Sequence, residues 1–589
     1  MAIALPSIKK EISSLLITRI SAIIFIFSGA LSLNALHIQS IGSGIGIFSG
    51  LFHVTIISQL LDGLLLFLSG LILIAWPLIT SSYYNKIKNI ASLFENGKLL
   101  FFQQHTTFKD PIISASSKLN KINLIGLYTP RTEYCLIVLF SALGSSLLIS
   151  SSDLLSMYIS IELQSFGLYI LSTLYKDYAT STTAGLKYFL LGALSSCFIL
   201  LGAGLIYTYT GLTNFESIYT LISVSVPLNI FLTTGTHNII SGISLGFMFI
   251  FIGFLFKIAA APFHSWSPDV YDETPTQVTM WLTIIPKISI LVLLLEFISG
   301  LSINSIVDYN IYDNFINQFN ITHNLLFVTY NTSYILKLLL LISSLFSLII
   351  GTIVGLAQTR IKRLLAYSTI SHIGFILLAL AINNEQSIDS FIFYIIQYSI
   401  TNLNIFLIIM ALGFILNKDG IKMYVNSNNL LLFDYDIRFI SSLKGQLFNN
   451  PILSFSLIIC LFSMAGIPPL LGFFSKQLVL LSAIQSGFWF ITFVAIITSV
   501  ISASYYLRII VLLVTSTTTL SDKEKEKVIN KEDSINVIDF SNLYNNDTIL
   551  TNLHSFLIST ITLSILLFIL KPNLLLNSTQ LLSLSYFNS

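Results

Sequence analysis

The sequence predicts an all-α, polytopic membrane protein of about 13–14 transmembrane helices, with two inverted five-helix repeats and proline-broken helices. Three observations predict it: scarce charge, long apolar runs, and landmarks that recur in the two halves of the chain. Of 589 residues, 54% are hydrophobic and 10% charged, where a soluble domain carries roughly a quarter charged residues. The 29 Lys and Arg nearly balance the 27 Asp and Glu. That balance points to no nucleic acid and no acidic substrate, and the partner it implies is lipid.

A bilayer core about 30 Å thick takes roughly 20 apolar residues per helix. Such runs fall at approximately 17–37, 58–79, 133–152, 154–175, 186–210, 240–263, 277–301, 335–357, 364–382, 390–416, 451–475, 485–514 and 549–571. The first follows Met1 to Leu15, which has Lys9, Lys10 and Glu11 but no transit pattern, and no A-x-A-like cleavage site follows it; it reads as a retained span. The chain divides into N-terminal helices and a loop (1–132), a first five-helix repeat (133–301), a connecting loop (302–334), a second five-helix repeat (335–514), and a polar loop with a C-terminal helix (515–589). Polar stretches Ser81–Glu133, Ile303–Tyr330, Asn417–Asn450 and Ser521–Asp547 read as loops, and Ile218–Thr234 as a further short or interfacial helix. Gly42-Ser43-Gly44-Ile45-Gly46 lacks a βαβ context and reads as a loop. Cys135, Cys197 and Cys460 are isolated in apolar runs and read as buried packing residues. No Walker A loop, HExxH or cysteine cluster occurs.

Glu162, Lys187, Lys257, Lys287, His372 and Lys476 lie inside the spans or close to their ends. Each central charge costs roughly 2.5–3.5 kcal/mol on insertion scales, so these residues face one another or water inside the bundle. Two readings stand side by side: paired polar glue, with Lys187 and Lys476 snorkelling to the interface, or a chain of groups exchanging protons. Burial raises a carboxyl pKa and lowers that of a lysine, and an opposite charge does the reverse, so a lysine beside a mobile acidic partner can take and release a proton. His372 is a natural relay. Ser368, Ser371 and His372 share one helical stripe that can hold water, while Arg360, Lys362 and Arg363 at the mouth of that span read as interfacial anchors.

Pro262 follows Lys257, and Pro468-Pro469 precede Lys476. Proline removes a backbone donor, and in hydrocarbon broken helices are tolerated where they line a cavity. Each five-helix unit thus has a broken fourth helix near a lysine and a second helix carrying Glu162 or His372. That is the pattern of discontinuous helices in transporter repeats, and an odd helix count inverts the second unit.

Met157 to Ser165, Leu186 to Ala193, Phe256 to Trp266 with Pro268-Asp269-Val270-Tyr271, Lys362 to Gly374, and Gly466 to Lys476 together resemble the antiporter-like membrane subunits of NADH-ubiquinone oxidoreductase, respiratory complex I, on the subunit 2 branch. The likeness runs from about Gly42 to Val514. Subunit 4 is less similar because its terminal position is usually Glu, and subunit 5 because no long lateral helix follows residue 571. The resemblance implies that Glu162 is the acidic residue beside the pump lysine Lys257, Lys287 the relay lysine, His372 the central relay, Lys476 the terminal lysine and Lys187 a further family lysine. The first span matches the family's second helix. The implied function is proton translocation coupled to electron transfer from NADH to ubiquinone, with no cofactor in this chain. NADH, flavin, iron-sulfur clusters and ubiquinone are expected in other subunits, and the expected partners are membrane-arm and accessory subunits and phospholipids, without nucleic acid. The alternative is a free-standing cation/proton antiporter. The Ile-, Leu-, Phe-, Tyr- and Asn-rich composition is that of an AT-rich organellar genome and favours the mitochondrial inner membrane.

Overall fold

The structure is a computed structural model that describes residues 14–36, 44–74, 132–175, 179–228, 235–319, 332–420, 436–515 and 552–588. The expectations for 1–13, 37–43, 75–131, 176–178, 229–234, 320–331, 421–435 and 516–551, including Gly42, Ser43 and the end of the run Ile218–Thr234, lie outside the described residues.

Helices α1 (Ser14–Ala35) and α2 (Ile56–Ile74) open the chain, followed by α3 (Thr132–Ile149), α4 (Leu154–Thr173), α5 (Ala179–Thr210), α6 (Phe215–Leu228), α7 (Gly235–Ile258), α8 (Trp266–Glu273) and α9 (Thr276–Phe319). The second half comprises α10 (Thr332–Leu356), α11 (Ile361–Ile382), α12 (Glu385–Gly420), α13 (Pro451–Ala465), α14 (Leu471–Gln485) and α15 (Trp489–Val514), with α16 (Asn552–Leu566) and α17 (Asn573–Asn588) last. Among the described residues eleven helices are long and apolar enough to cross a membrane. Glu133–Ile149, and Pro451–Ala465 with Leu471–Gln485, are shorter apolar helices.

Several expectations are corrected. The run 451–475 is not one helix: it is interrupted after Ala465 and resumes at Leu471, because two prolines cannot continue the hydrogen-bond ladder. The span at 277–301 does not stop at a loop but continues to Phe319, since no Gly or Pro interrupts 302–319. A C-terminal helix follows Pro572, where Asn, Ser and Thr dilute the apolar signal. The glycine-rich segment enters a small hairpin, β1 (Ile45–Ile47) against β2 (Phe52–Val54). This hairpin is pinned to the α3–α4 loop by His53 N–H donating to Ser150 O at 2.7 Å and to the first turn of α4 by Ser156 Oγ donating to Leu51 O at 2.8 Å. Cys135 and Cys460 are buried, but Cys197 is exposed on the outer side of α5, where a thiol is as apolar as its leucine neighbours.

Apolar side chains cannot drive helices together in lipid, so close backbone approach does the work. A Cβ on Gly144 of α3 would lie 2.6 Å from Gln164 N of α4, and one on Gly351 of α10 would lie 2.7 Å from Ser371 N of α11. Helices α5 and α7 meet through Gly202 and Gly246 in the same manner. Gly144→Val should therefore force α3 from α4 at a cost of about 1–3 kcal/mol, whereas Gly204→Val, on a glycine with nothing within 4 Å, should be accommodated. Thermal unfolding of the two purified variants in detergent checks the contrast; equal midpoints would refute it.

Candidate functional site

Both broken helices end in the same backbone motif. At the end of α7, Ala260 N–H donates to Leu255 O and Ala259 N–H to Phe256 O, both at 3.0 Å, with Ala259 left-handed at φ 65°. At the end of α13, Ile467 N–H donates to Phe462 O and Gly466 N–H to Ser463 O, both at 3.1 Å, with Gly466 at φ 87°. This is the double closure of a helix C-terminus that glycine normally serves; alanine serves it in the first half. The spacing between the halves is 207 residues at each landmark: 466 against 259, 469 against 262 for the proline, 351 against 144 and 374 against 167 for packing glycines, and 360 against 153 for the helix N-caps. By that spacing Glu162 corresponds to Thr369 rather than His372, Lys257 to Met464, and Lys476 to Asp269.

Lys257 stands in the last turn of α7 with its side chain 8% exposed, and its Nζ lies 3.9 Å from Glu162 Oε1 on α4. Neither atom has a hydrogen-bond partner among the described residues. A water-sized cavity of about 10 Å³ adjoins Lys257, lined by Gln164, Ser165, Tyr169, Lys257 and Trp266 among others, which is room for about one water. Trp266 at the start of α8 reaches back across the break, its indole N–H donating to Phe256 O at 2.9 Å. In the second half Lys476 of α14 does this: Nζ donates to Met464 O and Ala465 O, each at 2.9 Å. A cation on the last carbonyls of a helix complements its dipole.

Between the breaks lie Lys287, 1% exposed, and His372, 3% exposed. Lys287 Nζ donates to Thr369 Oγ1 at 3.2 Å and to the Tyr398 hydroxyl at 3.3 Å. His372 hydrogen-bonds the Tyr394 hydroxyl through Nδ1 at 2.7 Å and the Tyr506 hydroxyl through Nε2 at 3.3 Å. Ser368 and Ser371 instead turn back to their own helix, bonding Leu365 O and Ser368 O. Phe375, one turn beyond His372, stacks on Tyr394 and lies under Lys476 Nζ at 5.7 Å.

Lys187 stands apart from this group. It is 49% exposed and pairs with Asp269 at 3.1 Å, in an ionic cluster at the end of α8 and α11. Arg363 meets Asp269 at 2.6 Å, Arg360 meets Asp272 at 2.6 Å, and Lys362 donates to Asp436 and, at 2.8 Å, to Thr274 O. The expected interfacial anchors are thus matched by carboxylates of neighbouring segments, and Lys362 is buried. The hydrogen bond from Arg360 to Asp272 also raises the guanidinium pKa above its ordinary value.

The sequence reading missed Thr369, Tyr394, Tyr398 and Tyr506, since hydroxyls in an apolar helix pass for packing. It also missed Asp62 on α2, Glu296 on α9 and Lys337 on α10, which the search for charges within apolar runs would have found.

The chain matches the family model described as NADH:quinone oxidoreductase/Mrp antiporter, transmembrane, twice, over residues 151–319 and 316–502. It is 45% identical to NADH-ubiquinone oxidoreductase chain 2 of Rhizopus oryzae over 589 residues, covering 100% of this chain and 98% of that one. It is 36% identical to NADH-quinone oxidoreductase subunit N of Pelagibacter ubique over 70% of this chain and 74% of the relative. Among solved structures, a chain of respiratory complex I from Thermus thermophilus with bound aureothin shares the fold at a TM-score of 0.58 and 22% identity, covering 96% of this chain and 98% of that chain.

The ionic cluster makes its own prediction. Lys362→Met leaves Asp436 without its buried partner and should destabilise by about 3 kcal/mol; Lys187→Met breaks an exposed pair worth below about 1 kcal/mol. Denaturation midpoints of the two variants in detergent should differ accordingly, and a larger loss for Lys187→Met would reverse the assignment.

Proposed function

The chain belongs to the NADH:quinone oxidoreductase/Mrp antiporter family, on the branch of NADH-ubiquinone oxidoreductase chain 2, and on that premise we propose that Glu162, Lys257, Lys287, His372 and Lys476 carry its protons. The protein is a membrane-arm subunit of NADH:ubiquinone oxidoreductase that takes part in proton translocation. Similarity to such a subunit along the whole chain favours this reading over a free-standing antiporter.

One observation carries the assignment. Apart from Lys362, whose partner Asp436 belongs to the ionic cluster, three lysines have side chains enclosed in the bundle, Lys257, Lys287 and Lys476, and of these only Lys257 has a carboxylate within 4 Å among the described residues. Lys287 and Lys476 are held by hydroxyls and backbone carbonyls, an arrangement that is expensive as glue and suited to a group that is charged for only part of a cycle. A buried lysine keeps its proton while a carboxylate stands close and yields it when that charge is withdrawn. Glu162 is placed to supply the charge, and the cavity beside Lys257 to receive a water that takes the proton onward. Lys187 belongs to the ionic cluster at the helix ends, where it pairs with Asp269 on the helix that follows the first break.

We place NADH, flavin, iron-sulfur clusters and ubiquinone in partner subunits. In support, Cys135, Cys197 and Cys460 lie on α3, α5 and α13, one facing outward, so they assemble no cluster ligand set. The partners are the other membrane-arm and accessory subunits together with phospholipid, and the membrane is the mitochondrial inner membrane.

Glu162→Gln keeps the shape and removes the charge, so it should slow NADH–quinone turnover in a normally assembled complex; wild-type turnover would sink the pairing. Lys257→Met should suppress proton uptake in reconstituted vesicles, and Lys257→Arg, charged but unable to lose its proton, should be nearly as damaging. Arginine restoring uptake to the wild-type level would mean that Lys257 supplies only fixed charge.

A further inference from the structure

Lys287 and Lys476 do not touch, and His372 between them has both ring nitrogens engaged by tyrosines. What adjoins both lysines is one face of α12. Tyr394, Gln397, Tyr398, Thr401 and Asn402 recur at three- and four-residue spacing, which stacks them on one stripe, and none is more than 2% exposed. At one side of the stripe the Tyr398 hydroxyl accepts from Lys287 Nζ at 3.3 Å. At the other, Gln397 Oε1 accepts from Ser475 Oγ at 3.4 Å, beside Lys476, and Thr401 Oγ1 contacts Met464 Sδ at 3.5 Å, on the residue whose carbonyl holds Lys476. Gln397 and Thr401 are joined at 3.4 Å. Asn402 lies beside the Tyr398 hydroxyl, yet neither of its fully buried amide atoms completes a hydrogen bond of good geometry.

Buried amides without partners are costly, and the fold does not itself demand them. At the 207-residue spacing, positions 394 and 402 fall on the polar Lys187 and Ser195, but 397, 398 and 401 fall on Leu190, Leu191 and Leu194 of α5, the third helix of the first repeat, where Leu190 and Leu194 face outward. Polarity at 397, 398 and 401 belongs to the second half alone, where two lysines need a connection.

Resting on the proton-carrying reading above, we propose that this stripe of α12 is the bridge between Lys287 and Lys476, with Tyr398 as a proton-passing residue and Gln397, Thr401 and Asn402 positioning the water that completes it. An N–H bond of the Lys287 ammonium breaks as an O–H bond forms on the Tyr398 oxygen. The proton Tyr398 already carries, donated to Thr283 O at 3.4 Å, swings and leaves to water held by the amides and the threonine hydroxyl, and from water a proton joins the neutral amine of Lys476. One positive charge moves, no electrons do, and the hydroxyl is restored. His372 flanks the bridge through its hydrogen bond with Tyr394.

The test uses Tyr398→Phe in the assembled complex, which removes one oxygen and keeps the ring. Proton uptake in reconstituted vesicles should fall by about tenfold or more, the scale of losing a positioned proton-transfer group, and the solvent deuterium isotope effect on turnover should rise as this transfer becomes limiting. A merely structural hydroxyl would leave the isotope effect unchanged. Wild-type uptake with an unchanged isotope effect overturns the bridge. If Tyr398→Phe fails to assemble on native gels, Gln397→Met decides by the same two readouts. Lys257→Met is measured in parallel. Wild-type uptake there overturns the proton-carrying reading itself, whereas loss there beside a wild-type Tyr398→Phe overturns the bridge alone.

Discussion

A polar group in hydrocarbon has no water to fall back on, so each backbone carbonyl released by a helix break needs a donor from the protein. The two breaks, after Ile258 and after Ala465, release carbonyls deep in the bundle, and the groups that satisfy them set the position of the surrounding side chains. At the first break the donor is the Trp266 indole, which leaves Lys257 free to face Glu162. At the second it is Lys476, whose charge is spent on the carbonyls of Met464 and Ala465. One backbone device therefore holds two lysines in different states of engagement.

The halves share a backbone plan without sharing a chemical one. The helix closures, the prolines and the packing glycines repeat at one spacing, while no lysine or glutamate of the proposed row falls on a residue of the same charge in the other half. Glu162 matches Thr369, the hydroxyl that holds Lys287. Asp269, the match of Lys476, points into the ionic cluster that ties α8 to Lys187 and Arg363. That cluster joins the helix following the first break to the helix carrying His372, so displacement of one half bears directly on the other.

Hydropathy was sufficient for the membrane class and most helix positions, because an apolar run of sufficient length in lipid has one stable backbone form. It was blind to the hairpin at Ile45–Val54, to α17, and to the continuation of α9 through Phe319, where polar residues dilute the apolar signal. Lys257, Lys287, His372 and Lys476 were legible because charge in an apolar run is conspicuous. Tyr394, Tyr398 and Tyr506 were not, since tyrosine in a helix is ordinarily packing, and only the third dimension shows whose hydroxyl meets which nitrogen. The repeat was visible as a grouping of spans, but its residue correspondence rests on backbone features that no side-chain identity encodes, such as alanine standing where glycine stands in the other half.

The central claim is that the buried cations form one continuous row rather than separate sites. The most direct measurement is proton uptake per electron pair by vesicles holding the assembled complex with Lys287→Met, in which Lys257 and Lys476 both remain. A continuous row predicts uptake well below that of the wild type; uptake equal to the wild type would contradict it.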